Sequence, residues 1–205
     1  MKKLLIVGFS ILFVCSCKTE APNNADELQQ KNIPAQVEKP MNKNTIAENK
    51  KIAEAPSIFE KTVLMGQVNF NVSAENKKTT TVKVNCDGLA VRKYKQEFTV
   101  KGQIINAFGL DLDKDGFHEL YLAIRRADGS GDIELIGIAS YNDKSAGEIT
   151  INDIKVSKKE NTDKVYAFYG ELKREFYDQN NQLQVYSYQL KKGEAGFILE
   201  PARTK

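Results

Sequence analysis

The stretch "ELYLAIRRADGSGDIELIGIASY", Glu119 to Tyr141, carries the pattern that decides the fold. In its first half, Leu120, Leu122 and Ile124 fall on one side of an extended chain, with Tyr121 on the other. Successive side chains of a β-strand point to opposite faces, whereas a helix repeats about every 3.6 residues. The central "ADGSGD" is rich in the Gly, Asp and Ser residues that favour tight turns. The stretch therefore predicts two strands joined by a short loop.

The same period of two continues on both sides of this stretch. The further segments with this pattern are "VNFNV" (68–72), "TVKVNC" (81–86), "EFTVKGQI" (97–104), "AGEITI" (146–151), "KREFYDQNNQLQVYSYQL" (173–190, two strands about a loop) and "GEAGFILE" (193–200). Many short strands separated by polar turns predict an all-β fold, an antiparallel β-sandwich or barrel-like single domain. For one segment, "KVYAFYGELKREF" (164–176), a short helix is the alternative to strands.

The amino terminus has the pattern of an export signal. Two lysines precede an apolar run that ends near Cys15, which is too short for the roughly 20 residues of a membrane-spanning helix. Ser16 directly before Cys17 resembles a bacterial lipobox, so we expect residues 1–16 to be a lipoprotein signal peptide and Cys17 to be lipidated. A plain secretory signal is the alternative. Multiple acyl chains on Cys17 would anchor the protein stably. Lys18 in the next position, by resemblance to known sorting rules, favours the outer membrane.

The segment after Cys17 has the composition of a flexible tether. Residues 18–58 contain no aromatic residue and four of the five prolines of the chain. Such a segment cannot bury enough apolar surface to offset the entropy of ordering it. We therefore expect residues 17–58 to be a disordered tether reaching about 35 Å, from about 5–6 Å times the square root of its length. Residues 59–205 then form one β domain of ordinary size.

Charge and cysteine content exclude several functions. Removing Lys2 and Lys3 with the signal changes the formal net charge from +3 to +1, which suggests no nucleic-acid partner. Cys86 is the one thiol left after processing, so no internal disulfide can form. His118 is the only histidine, and nothing in the sequence brings it next to Cys86. We expect a protein that is not an enzyme.

The segment "DLDKDGFHE", residues 111–119, offers oxygen ligands at alternate positions, as an EF-hand-type loop does over its first nine positions. The twelfth position is Leu122 instead of Glu, and a strand follows, so it is not an EF-hand. It resembles the calcium loops that lie between two strands of β modules. The alternative is an acidic hairpin turn in which Asp side chains cap backbone amides and Lys114 relieves their repulsion. The candidate Ca²⁺ ligands are Asp111, Asp113, Asp115, the carbonyl of Phe117, and Glu119.

Several motifs in order resemble the periplasmic inhibitors of invertebrate-type lysozyme. Over about residues 98–201 these are "FTVKGQIINAFGLDLDKDGFHELYL", "GSG", "IASYNDKSAGEI", "YGELKREF" and "YQLKKGEAGFIL". The resemblance implies an all-β domain that forms a homodimer. It also implies that a Ser-Gly loop enters the lysozyme cleft, where the serine and a tyrosine bind the catalytic carboxyl groups. The acidic loop belongs to the same pattern, as the turn before the strand that leads to the working loop.

Carried over to this chain, the partner-binding loop is Gly129, Ser130, Gly131 and Asp132. The family continues with a small residue and a tyrosine, whereas this chain has Asp132 and Ile133. Asp132 would bring a third negative charge toward two enzyme carboxyl groups. We expect weak inhibition unless Asp132 points away or pairs with a neighbouring arginine, Arg125 or Arg126. A hairpin turn with no partner is the alternative.

Two functions therefore remain open at the level of sequence. The first is a lipid-anchored envelope protein that resembles the lysozyme inhibitors and blocks a lysozyme or related muramidase. The second is a calcium-binding structural or adhesion β module of the cell envelope.

Overall fold

The computed structural model describes residues 55–204, and within this range it has twelve β-strands and no helix. The all-β prediction is confirmed. Within the described range no helix is of the length and hydrophobicity that crossing a bilayer requires. The predicted signal, Cys17 and most of the tether lie outside the described residues. The strands are β1 (Ile58–Met65), β2 (Val68–Glu75), β3 (Thr80–Asp87), β4 (Tyr94–Val100), β5 (Gly102–Leu110), β6 (Glu119–Arg126), β7 (Ile133–Tyr141), β8 (Ser145–Ile151), β9 (Lys164–Phe168), β10 (Glu171–Tyr177), β11 (Leu183–Gly193) and β12 (Gly196–Arg203).

The strands form two sheets. The first is an antiparallel meander of β1 to β4 in chain order. The second has eight strands in the order β5-β6-β7-β8-β12-β11-β10-β9, and its edge strands β5 and β9 approach each other, so the sheet curls toward a barrel. Neighbours are antiparallel except β8 and β12, which pair in parallel through Thr150 and Ile198. The carboxy-terminal strand β12 therefore lies inside the larger sheet, between β8 and β11.

Two hydrophobic cores meet at strand β6. Leu120, Leu122 and Ile124 pack with the inner face of the first sheet, as the alternation predicts. Tyr121 and Ala123 point to the opposite face and pack in the second core, inside the curled sheet. All five side chains are fully buried, and each large apolar side chain buried this way contributes roughly 1.5–3 kcal/mol. β6 is thus the strand that both cores share.

Two segments differ from the sequence-based expectation. The segment "EFTVKGQI" is not one strand: β4 ends at Val100, and β5 begins at Gly102 in the other sheet. A Cβ at Gly102 would lie 2.2 Å from the carbonyl oxygen of Arg125, so the crossing needs a glycine. The segment "KVYAFYGELKREF" is a hairpin, β9 and β10, and not a helix. Its turn consists of Tyr169 and Gly170, both with positive φ.

Candidate functional site

The loop between β5 and β6 brings the predicted acidic side chains together. One carboxylate oxygen from each of Asp111, Asp113, Asp115 and Glu119 lies within 4.8 Å of the others. Asp111 to Asp115 are partly or fully exposed, whereas Glu119 begins the buried strand β6 and is only 2% exposed. The spacing of the sequence therefore produces one cluster of four carboxylates at the mouth of the second core.

Backbone amides also bind these carboxylates. Asp111 accepts hydrogen bonds from the amides of Asp115 and Gly116, both at 3.1 Å, and Asp115 accepts one from the amide of Phe117 at 2.8 Å. Lys114 and Gly116 have φ of 61° and 88°, which turn the chain sharply enough to make these bonds. The amide of Phe117 is thus engaged within the loop. The same bonds serve an acidic hairpin turn and a calcium loop, so they do not distinguish the two.

Glu119 is the unusual member of the cluster. Its Oε2 accepts hydrogen bonds from the amide of Leu112 at 3.0 Å and the hydroxyl of Tyr121 at 3.3 Å. Burial first, and then the charges of Asp113 and Asp111, raise the pKa of Glu119 to about 8 despite these bonds. The pKa of Asp113 is also raised, by desolvation first and then by Asp115. Among residues 55–204 no lysine or arginine forms a salt bridge with these four carboxylates, and a hard cation with a preference for oxygen ligands would supply the positive charge.

In the loop between β6 and β7, residues 127–132, the internal hydrogen bonds converge on Ser130. The hydroxyl of Ser130 donates to Oδ1 of Asp128 at 2.6 Å, and its amide donates to the same oxygen at 3.0 Å. Ser130 Oγ in turn accepts the amide of Asp132 at 3.1 Å. Arg126 holds Asp128 from the other side, with Nε 2.9 Å from Oδ2. The single hydroxyl proton of Ser130 is therefore directed into the loop.

The three residues of the predicted tip differ in accessibility. Gly129 is exposed, and a Cβ added there would meet no atom within 4 Å. Ser130 is partly exposed. Gly131 is buried, with φ of 74°, and a Cβ there would lie 2.4 Å from Oδ1 of Asn161. The amide of Asn161 donates to the carbonyl of Ser130 at 3.0 Å. Only the Gly129–Ser130 edge of the tip faces solvent, because Gly131 rests on Asn161.

Asp132 has a different partner from the arginines that the sequence suggested. Its carboxylate lies 3.8 Å from Nζ of Lys158, which is largely buried. Arg125 instead donates to the carbonyl of Gly131 at 3.2 Å, and the amide of Arg126 donates to the backbone carbonyl of Asp132 at 2.9 Å. The negative charge of Asp132 is thus partly balanced below the loop by Lys158.

A buried ion pair, which sequence reasoning missed, fixes the start of β7. Arg174 and Asp163 are 1% and 2% exposed and are bonded to each other through Nε and Nη2 of the arginine. Arg174 Nη2 donates to the carbonyl of Ile133 at 2.6 Å, and Asp163 Oδ2 accepts the amide of Ile133 at 2.8 Å. Burial alone would lower the pKa of Arg174, but Asp163 and its neighbours keep it above the ordinary value. The pair therefore holds both backbone groups of the residue that follows the loop.

Cys86 lacks the properties of a nucleophile. Its side chain is buried in the first core, and burial, followed by the charges of Asp87 and Asp143, raises its pKa to about 12. A reactive cysteine needs the opposite shift, toward the thiolate. His118 lies in the acidic loop, where its carbonyl accepts the amide of Ser140 at 3.4 Å.

No protein-family model matches the chain, and no curated protein matches it either. The resemblance to the lysozyme inhibitors therefore rests on the short motifs alone.

Proposed function

We propose that this protein is a non-catalytic binding module of the bacterial cell envelope, anchored through lipid on Cys17, that presents its β6–β7 loop to a lysozyme-like muramidase. The observation that carries the proposal is the exposed Gly129–Ser130 edge on a loop that is fixed from below. The buried thiol of Cys86 agrees with a role in binding rather than catalysis.

Pre-organisation is the physical advantage of this loop. The Arg174–Asp163 pair holds Ile133, and Asn161 supports Gly131, so little entropy is lost when a partner binds the edge. Retaining glycosidases place two carboxyl groups about 5–5.5 Å apart around the sugar. The Gly129–Ser130 edge carries no bulky side chain, so its backbone and the serine can approach such groups closely.

Asp128 limits the strength of this interaction. It holds both the hydroxyl and the amide of Ser130, the donors that an enzyme carboxylate would need. Asp128 also adds a negative charge next to the exposed edge. The native loop should therefore inhibit weakly, and removal of the Asp128 carboxylate should free Ser130 and strengthen inhibition.

The test is a titration of invertebrate-type lysozyme with the chain from residue 17, carrying Cys17→Ser, while clearing of cell walls is followed. We expect the wild type to slow clearing, Ser130→Ala to slow it less, and Asp128→Ala to slow it more. Glu194→Ala, which removes one exposed carboxylate from the β11–β12 turn, is the matched control and should equal the wild type. No slowing by either the wild type or Asp128→Ala at micromolar protein would refute the proposal.

A second candidate function is calcium binding that stabilises an envelope structural or adhesion module. Four converging carboxylates, one of them buried, favour it. Asp111, Asp113, Asp115 and Glu119 would hold the ion, which would neutralise their repulsion and order the loop. This function and the first are compatible, since the two loops lie at opposite ends of β6.

Thermal unfolding with Ca²⁺ or with chelator tests the calcium site. Binding at 100 times Kd stabilises a protein by about 2.7 kcal/mol, so Ca²⁺ should raise the melting temperature of the wild type clearly. Asp113→Asn should be more stable than the wild type in chelator, because it removes one repelling charge, and should lose the response to Ca²⁺. Glu194→Gln should keep the response. An unchanged wild-type melting temperature would identify the loop as an acidic hairpin turn.

A further inference from the structure

The β9–β10 hairpin has a turn that its sequence does not favour. Phe168 and Glu171 are paired in register, so Tyr169 and Gly170 form a two-residue loop, with φ of 49° and 77°. Loops of this kind strongly prefer Asn-Gly or Asp-Gly, because an ordinary side chain is strained at positive φ. Among residues 55–204, the other non-glycine residues with positive φ are Asn, Asp and one lysine. Tyr169 is therefore an aromatic residue in a position where Asn would be less strained.

Nothing in the fold requires this ring. Tyr169 is 92% exposed, and its ring contacts Phe168 edge to face, with centroids 4.4 Å apart. Backbone strain that gives the scaffold no packing in return is typical of functional positions. The position of Tyr169 therefore suggests a ligand for the ring.

Tyr169 follows directly on two aromatic side chains of β9, and we term the three residues the aromatic strip: Tyr166 and Phe168 of β9 and Tyr169 of the turn. Tyr166 and Phe168 point outward, because they pair with Lys173 and Glu171 of β10, whose intervening residue Leu172 is buried. Phe168 is half exposed. Residues two apart on a strand are about 6.8 Å apart, at about 3.4 Å each, so Tyr166 and Phe168 lie within reach of one extended ligand.

The polar groups beside the aromatic strip are paired and electrically balanced within the hairpin. Lys173 lies 3.3 Å from Glu171, and its Nζ is 5.2 Å from the centre of the Phe168 ring. Lys164 lies 2.9 Å from Glu175, which also accepts the hydroxyl of Tyr166 at 3.2 Å. Two lysines and two glutamates leave no net charge to attract an anionic lipid or a nucleic acid. They do offer hydrogen-bond donors and acceptors next to exposed rings.

We infer that the aromatic strip is a binding surface for a polysaccharide chain. The C–H face of a pyranose ring is apolar and packs on an aromatic face, while its hydroxyl groups need donors and acceptors at the rim. The aromatic strip supplies the rings, and the paired lysines and glutamates of the same hairpin supply the polar groups in balanced charge. This surface is distinct from the β6–β7 loop, and the inference does not depend on the proposed lysozyme partner.

The experiment measures retention of the chain from residue 17, carrying Cys17→Ser, on insoluble peptidoglycan sacculi, chitin and cellulose. Tyr169→Asn is the decisive variant, because Asn suits the turn while the ring is removed. We expect the wild type to be retained on at least one polymer, and Tyr169→Asn to bind it about tenfold more weakly. The melting temperature of the variant should be equal to or above that of the wild type. The control is Leu64→Asn, which replaces an exposed apolar residue of the other sheet (74% exposed) and should bind like the wild type.

Three results would overturn the inference. One is no retention of the wild type on any of the three polymers. Another is equal retention of the wild type and Tyr169→Asn. The third is a wild-type dimer that Tyr169→Asn converts to a monomer in sedimentation, which would assign the aromatic strip to a second copy of the chain.

Discussion

Replacement of Arg174 by methionine should destabilise the protein strongly, because it leaves Asp163 charged in the interior. Asp163 is 2% exposed and would keep the amide of Ile133 at 2.8 Å and the ammonium of Lys158 at 3.7 Å. Those contacts do not replace two guanidinium hydrogen bonds. The carbonyl of Ile133 also loses its donor at 2.6 Å.

Removal of one partner from a buried ion pair typically costs about 3–5 kcal/mol. For a domain of this size each kcal/mol lowers the melting temperature by about 2–4 °C, so a decrease of roughly 6–20 °C is expected. The control is Lys191→Met, which breaks the exposed pair of Lys191 with Glu200 at 2.7 Å. An exposed pair contributes about 0–1 kcal/mol, so this variant should be close to the wild type.

Urea unfolding followed by far-ultraviolet circular dichroism measures both variants, since the chain has no tryptophan for fluorescence. The double variant Arg174→Met with Asp163→Leu should be less destabilised than the sum of the two single variants, because it does not leave the Asp163 carboxylate buried without a guanidinium partner. If Arg174→Met and Lys191→Met each lowered the free energy of unfolding by less than about 1 kcal/mol, burial of the Arg174–Asp163 pair would not govern stability, and the prediction would be wrong.

Further outcomes follow from other buried groups. Gly131→Ala should lower the melting temperature more than Gly129→Ala. Both glycines have positive φ, but only a Cβ at residue 131 would lie 2.4 Å from Oδ1 of Asn161. Thermal unfolding of the two variants measures the difference. Without metal, the folded protein holds the proton of Glu119 up to a pKa of about 8, whereas the unfolded chain releases it near 4.5. The resulting stabilisation is complete below about pH 4.5 and is lost as the pH rises to about 8. Glu119→Gln should remove this slope from unfolding free energies measured across that range, and an unchanged slope would contradict it. The thiol of Cys86 should resist alkylation at pH 8 until urea unfolds the chain, as mass spectrometry can establish; rapid labelling of folded protein would show that it is accessible.

The features that the sequence predicts are those encoded by neighbouring residues. The alternation in "TVKVNC" predicts β3 because its inward side chains face one core and its outward ones face solvent. The acidic cluster is similarly local, since its four side chains lie within nine residues and one sharp turn gathers them. Short-range geometry is therefore sufficient for both.

The features that the sequence does not predict depend on residues that are distant along the chain. Arg174 occupies an inward position between Leu172 and Phe176, which signals a buried partner, but nothing in its neighbourhood identifies Asp163. The accessibility of Gly131 depends on Asn161, about thirty residues further along the chain. The β9–β10 turn is not predicted for a different reason, because tyrosine is not among the residue types that favour turns.

The place of β12 inside the larger sheet sets the order in which that sheet can close. Without β12, β5 to β8 and β9 to β11 are two groups of strands with no strand to join them. The parallel pairing of Thr150 with Ile198 must also close a long segment of chain, which slows folding. Removal of β12 would therefore open the larger sheet, although it would take nothing from either candidate loop.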